Sequence, residues 1–229
     1  MKIMSFNTQH CLNYLEQRVD YDIMARTISD VGADIVGLNE MYDKGSIYGE
    51  QTKKLSSLTE LKNYYFAKAC SLGDEGAYGN GFLSRYPIKS AETVIIPDPN
   101  PRAYNGYYET RCILKAKLEN GYTVLVVHFG LNPDEHKNAV DTVLANLEDE
   151  KCILMGDFNI EPDNELLEPL KERMNDTGAL LSGEPKSFPS DNPRIKIDYI
   201  WTSKDIEVIS ADIPSLIASD HRPYIAEIK

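Results

Sequence analysis

Basic charge is scarce in this 229-residue chain, and long apolar runs are absent. The densest basic stretch is Arg194-Ile195-Lys196, and 24 Lys+Arg against 36 Asp+Glu give a net charge of −12. A protein that grips a long polyanion presents a basic stripe, because Lys and Arg displace the counterions of the phosphate backbone. Extensive nucleic-acid binding is therefore not expected, although net charge does not exclude a local positive pocket. No apolar run approaches the roughly 18 residues that a membrane helix needs, so no membrane span is expected. Lys2-Ile3-Met4-Ser5-Phe6-Asn7 is too short an apolar stretch for a signal peptide, which makes the cytoplasm the default location. Cysteine is sparse and scattered (Cys11, Cys70, Cys112, Cys152) with no C-x-x-C pair. A chain this long buries a core without staples, so reduced, mostly buried thiols are expected. Internal repeats, low-complexity tracts and linker-like composition shifts are missing too.

What the chain does contain is a succession of short apolar runs separated by turn residues. Lys2–Asn7 reads as a strand. After it Ile23, Met24, Ile28 and Val31 recur at helical spacing, with Asp20 placed to cap and Gly32 to stop the helix. Asp34–Leu38 reads as a buried strand, so the opening is a β-α-β unit. Further strands are predicted at Tyr64–Lys68, Gly81–Ser84, Thr93–Ile96, Arg111–Leu118, Thr123–Phe129, Cys152–Met155, Ile197–Trp201, Glu207–Ile209 and Tyr224–Ile228. Helices are predicted from Asp134 to Leu147, with Pro133 in its first turn, and near Glu165–Arg173. Many strands with two or three helical segments among them imply an α/β sandwich.

Polar and ionisable residues recur where apolar strands end. Asn7 follows the first strand, Glu40 follows Ile35–Leu38, and His128 lies late in its strand. Asp157 and Asn159 follow Ile153-Leu154-Met155, Asp198 interrupts Ile195–Ile200, and Asp220-His221 precede the last strand. Strand ends are where α/β sheets present side chains to a shared crevice. Taken singly, each has a bland reading: Asn7 and Asp157-Phe158-Asn159 as turn formers, Glu40 as a solvated carboxylate, His128 as a satisfied core histidine. Together they imply convergence.

These residues lie in SFN, GLNE, GNGFLSRYPI, VVHFGLN, GDFN, IDYIW and SDH, in that order. The chain thereby resembles the endonuclease/exonuclease/phosphatase superfamily, which includes DNase I-like nucleases, neutral sphingomyelinases and inositol-polyphosphate 5-phosphatases. The resemblance runs from Asn7 to His221. It implies a four-layer α/β sandwich, two central mixed β-sheets flanked by helices, in a single domain over residues 1–229.

By the same resemblance Glu40 and Asn7 match Mg²⁺-binding positions, with Mn²⁺ a possible substitute, and Asp220 matches a metal or site-supporting position. Mg²⁺ takes hard oxygen ligands and keeps several waters, so one carboxylate with amide oxygens suffices. Asp157 is expected to orient or deprotonate the attacking water, and Asn159 to steady it. Asp198 and His221 match a carboxylate–histidine pair; Asp198, flanked by Ile197 and Ile200, would be costly to bury without such a partner. His128 matches a histidine on the scissile phosphate. Arg111 and Lys196 are candidate phosphate contacts, while His10, Asn80 and Asn132 stay open. Whether Asp157 or His221 is the general base also stays open. The expected activity is Mg²⁺-dependent hydrolysis of a phosphate ester, with a small soluble phosphoester as substrate. The alternatives are a metal-dependent nuclease and a non-catalytic phosphate-binding module.

Overall fold

The computed structural model describes residues 1–183 and 185–229. In chain order its elements are β1 (Lys2–Asn7), β2 (Leu12–Asn13), β3 (Arg18–Val19), α1 (Tyr21–Val31), β4 (Ile35–Asp43), α2 (Gln51–Leu58), β5 (Asn63–Leu72), β6 (Gly76–Ser84) and β7 (Ile88–Ile95). There follow β8 (Cys112–Leu118), β9 (Thr123–His128), α3 (Pro133–Asn146), β10 (Cys152–Asp157), α4 (Glu168–Arg173), β11 (Met174–Asp176), β12 (Asp198–Ser203), β13 (Val208–Asp212) and β14 (Tyr224–Ile228).

The helices begin and end where local chemistry dictates. The Asp20 carboxylate accepts the N–H groups of Asp22 and Ile23 at the start of α1, and Gly32 closes it at φ 67°, a conformation that favours glycine. Pro133 opens α3, and the Glu135 carboxylate reaches back to accept the Asn132 N–H at 3.1 Å. The expected helix near Glu165–Arg173 divides into a 3₁₀ turn, Glu165–Leu167, and α4.

Two six-stranded mixed sheets result, in the orders β13-β14-β1-β4-β6-β5 and β11-β12-β10-β9-β8-β7. Each has a parallel pair near its centre, β1 with β4 and β9 with β10. Strand periodicity sorts the side chains into three apolar layers. Ile3, Ile35, Phe82, Leu114, Val126, Ile153, Ile200 and Tyr224 fill the space between the sheets. Met4, Phe6, Val36 and Leu38 turn outward onto α1 and α2. Leu125, Val127, Leu154 and Trp201 turn outward onto α3 and α4. Three apolar layers between four layers of structure make the expected α/β sandwich. The sheets approach so closely that a Cβ on Gly37 would lie 2.7 Å from Met155 Sδ. All four cysteines are free. Among the described residues, no helix is long and apolar enough to cross a membrane.

Candidate active site

The inner faces of both sheets are apolar along most of their length and polar at one end. Parity explains the placement. Asn7 follows Ile3 and Ser5 on β1, His128 follows Val124 and Val126 on β9, and Asp157 follows Ile153 and Met155 on β10. Asp198 precedes Ile200 on β12. Glu40 is different: it shares its parity with Val36 and Leu38, which face α1 and α2. A bulge between Leu38 and Met41, with Glu40 at φ 59°, resets the alternation and turns it to the crevice. Gly156 permits the chain to pass: at φ 145° a Cβ there would sit 1.8 Å from the Val127 carbonyl oxygen.

Asp157 is the hub. Its Oδ1 accepts the Asn159 N–H at 2.9 Å and its Oδ2 accepts Asn7 Nδ2 at 3.0 Å. Nε2 of His128 and Nε2 of His221 each lie 3.6 Å from that same Oδ2, too far for direct hydrogen bonds. Burial, reinforced by the nearby Asp198 charge, raises the Asp157 carboxyl to about 7, against the opposing pull of His221, the Asn159 N–H and Asn7. Asn159, at φ 50°, donates Nδ2 to the Phe129 carbonyl at 3.1 Å.

The two histidines carry different charge states. His221 Nδ1 lies 2.8 Å from Asp198 Oδ2, and its ring faces Phe188 at 4.8 Å. Burial alone would lower its pKa, but Asp198 and Asp157 outweigh burial and raise it to about 10, so it is an imidazolium. His128 Nδ1 lies 2.9 Å from Arg111 Nη1. A guanidinium only donates, so Nδ1 accepts and the ring proton is left on Nε2, facing Asp157. Burial, the Arg111 charge and the His221 charge hold His128 well below the ordinary histidine range. It is neutral.

Glu40 and Asp220 supply the carboxylates open to a cation. Glu40 Oε1 accepts Asn7 Nδ2 at 3.0 Å, and Asp220 Oδ1 accepts Ser219 Oγ at 3.0 Å; among the described residues their second oxygens accept nothing. Burial raises the Glu40 carboxyl, and the charge of Asp220 raises it further, while Asn7, His221 and Arg111 oppose the rise. Two carboxylates that repel each other at a crevice mouth fit a hard divalent cation with water completing its shell. Asp157, Asp198 and His221 also gather potential ligand atoms within 4.8 Å; there His221 Nδ1 is paired with Asp198 Oδ2 at 2.8 Å, while Asp198 Oδ1 has no hydrogen-bond partner among the described residues. Asn7 Oδ1 accepts the Gln9 N–H at 3.1 Å, and its NH₂ bridges Glu40 and Asp157.

The two candidate phosphate cations are both buried. Arg111 is buried beside His128, 2.8 Å from Glu109 Oε1, so it backs the histidine rather than opening to solvent. The Lys196 ammonium is enclosed 3.3 Å above the Tyr199 ring and 5.5 Å from that of Tyr224, without a hydrogen-bond partner among the described residues. Burial lowers it to about 8.

Sequence reading missed Asn39 and Tyr78 and left Asn80 open. Asn39 Nδ2 donates to Asn80 Oδ1 and to the Val127 carbonyl, each at 2.8 Å, and its Oδ1 accepts the Asp157 N–H at 3.1 Å. Asn80 Nδ2 in turn donates to the Cys112 carbonyl at 2.9 Å. These amides tie the two sheets together under the site. The Tyr78 hydroxyl lies 3.5 Å from Arg111 Nη1, and its pKa is pushed well up by burial and then by the Glu40 charge. The available signal was a polar residue in step with Phe82 along an inward-facing strand.

Fold and site together define a DNase I-like α/β sandwich with an acid–histidine crevice. The chain belongs to the endonuclease/exonuclease/phosphatase family, whose model matches residues 4–221. Members of that family are phosphoester hydrolases. An uncharacterized protein, YbhP of Escherichia coli, is 24% identical over 257 aligned positions that cover 99% of this chain and 95% of the relative. A mannosyl-6-phosphatase from Bacteroides thetaiotaomicron superposes with a TM-score of 0.76 at 16% identity, covering 100% of this chain and 99% of that one. The catalytic domain of human Nocturnin, solved with bound sulfate, superposes with a TM-score of 0.73 at 18% identity, covering 100% and 93%.

Proposed function

We propose that this chain is a Mg²⁺-dependent hydrolase of a small soluble phosphoester, acting by in-line attack of water. The observation that carries the proposal is the single oxygen Asp157 Oδ2, faced by an amide, a neutral imidazole and an imidazolium. Glu40 and Asp220 would hold the cation, which when bound neutralises charge on a phosphate oxygen and the departing oxygen.

Asp157 takes the proton of the attacking water. A carboxyl raised to about 7 is matched to that task near neutral pH. Asn159, fixed by Phe129 and Asp157, steadies the water. His221 donates Nε2–H to a non-bridging oxygen where charge builds, and Asp198 holds the ring in orientation. His128 donates its own Nε2–H to a second oxygen. What supports Asp157 over His221 as the base is the proton already on His221 at neutral pH.

The small-substrate reading is supported by a cleft of about 910 Å³ beside Asn159, whose lining includes Glu161, Asp163 and Glu165. That volume suits a small molecule, and its acidity repels a polyanion. The test is a panel of bis-p-nitrophenyl phosphate, p-nitrophenyl phosphate, plasmid DNA, RNA and sphingomyelin with Mg²⁺, Mn²⁺ or chelator. Small esters cleaved with Mg²⁺, and spared in chelator, are expected. Full activity in excess chelator, or silence on every substrate, would overturn the proposal; preferred cleavage of plasmid or RNA would favour the nuclease reading.

A further inference from the structure

The two segments that bring Asn7 and Glu40 together both leave ordinary backbone geometry. Beginning two residues past Asn7, Gln9, His10 and Cys11 have φ of 46°, 48° and 62°, and in the β4 bulge Glu40 has φ of 59°. None of the four is glycine, so each conformation persists only because its surroundings impose it.

One side chain grips both segments. Gln51, the first residue of α2, is fully buried. Its Oε1 accepts the Tyr42 N–H at 2.8 Å, two residues past Glu40. Its Nε2 donates to the His10 carbonyl at 2.7 Å, three residues past Asn7, and lies 3.5 Å from the Tyr21 hydroxyl. The 3.0 Å bond from Asn7 to Glu40 closes the circuit on the crevice side. The clamp needs an acceptor at one tip atom and a donor at the other. An amide supplies both; an ionised carboxylate lacks the donor and an ammonium lacks the acceptor. Neighbouring aromatics hold the assembly: Tyr42 stacks on Tyr48 at 4.6 Å, and the Tyr48 carbonyl accepts the Tyr21 hydroxyl at 2.9 Å.

We propose that Gln51 is a positioning residue for the cation pocket, setting the separation between the Asn7 turn and the Glu40 bulge. This rests on the metal reading of Glu40 given above. Gln51 touches neither Glu40 nor the crevice; it acts through two backbone groups.

The experiment titrates Mn²⁺ against wild type, E40Q, Q51L and Q51M, reading free Mn²⁺ by electron spin resonance, with turnover and thermal midpoints measured alongside. Removing a hydrogen-bond partner that orients a ligand weakens metal affinity about 10- to 100-fold, and that is the loss expected in Q51L and Q51M. Affinity lost in E40Q but unchanged in both Gln51 variants overturns the clamp and leaves the metal reading standing, even where their thermal midpoints in chelator fall. Wild type that binds no Mn²⁺ overturns the metal reading and the clamp with it. Should neither variant fold, exchange of the Tyr42 amide in wild type decides: Mg²⁺ slows it if the clamp and the pocket are coupled, and unchanged exchange overturns the coupling.

Discussion

The two walls of the crevice hold the same residue at the same distance from the same oxygen, and they give it opposite properties. On the β12 side His221 lies 3.6 Å from Asp157 Oδ2 with an aspartate behind it; on the β9 side His128 lies 3.6 Å from that atom with an arginine behind it. Burial disfavours the charged form of both. The partner decides which ring overcomes that cost. Asp198 makes His221 a cation that can meet developing negative charge, whereas Arg111 leaves His128 a neutral donor with a fixed tautomer. A site can thus hold two histidines beside one carboxylate without gathering two positive rings.

The largest expected effect removes what the walls share. Asp157→Asn keeps the shape and abolishes the proton acceptor, and kcat should fall about 10²- to 10⁴-fold with the circular dichroism spectrum preserved. Activity near wild type would break the comparison at its centre. Next, His221→Asn should lower kcat about 10²- to 10³-fold, the scale of losing one preorganised donor to developing charge, and His128→Asn should cost clearly less. Equal losses would mean that the charge difference between the walls has no bearing on turnover.

A subtler effect concerns stability in chelator. His221 is raised from an unfolded value of about 6.5 to about 10 in the fold. Its contribution is therefore complete below about 6.5 and lost as pH rises through about 10. Denaturant midpoints should fall across that window, and His221→Asn should remove this component of the slope. Lys196 works in the opposite sense, because its folded value, about 8, lies below that of the unfolded chain. Between about 8 and about 10.5 the unfolded chain holds the proton more tightly, so Lys196 adds stability as pH rises. The smallest effect belongs to Lys196→Met, which should erase that gain and leave KM unchanged. A raised KM would instead make Lys196 a phosphate contact.

The sheet core and most of the crevice were legible in the sequence because they follow strand periodicity. Asn7, His128 and Asp157 continue inward-facing apolar steps, and a polar residue in such a step must find a partner. Glu40 was legible as a strand-end carboxylate, but its direction was not, since parity assigns it to the face of Val36 and Leu38 and only the bulge reverses that. The burial of Lys196 was not legible because a long flexible side chain gives no sign of where its tip lies. The helix α2 went unread for another reason: in QTKKLSSL the buried residues are Gln51, Thr52, Leu55 and Ser56, mostly polar, so no apolar stripe announces it. The start of β6 was hidden by Gly76, Gly79 and Gly81, which weaken a strand signal.

The amides of Asn39 and Asn80 lie where one sheet meets the other, and Asn39 holds the Asp157 backbone as well. An isolated sheet would keep the bond between the two amides but only half of each bond that crosses to the other sheet. Renaturation of this chain should therefore recover turnover only with the last tertiary step, after secondary structure has returned, so that catalysis serves as a clock for the docking of its two halves.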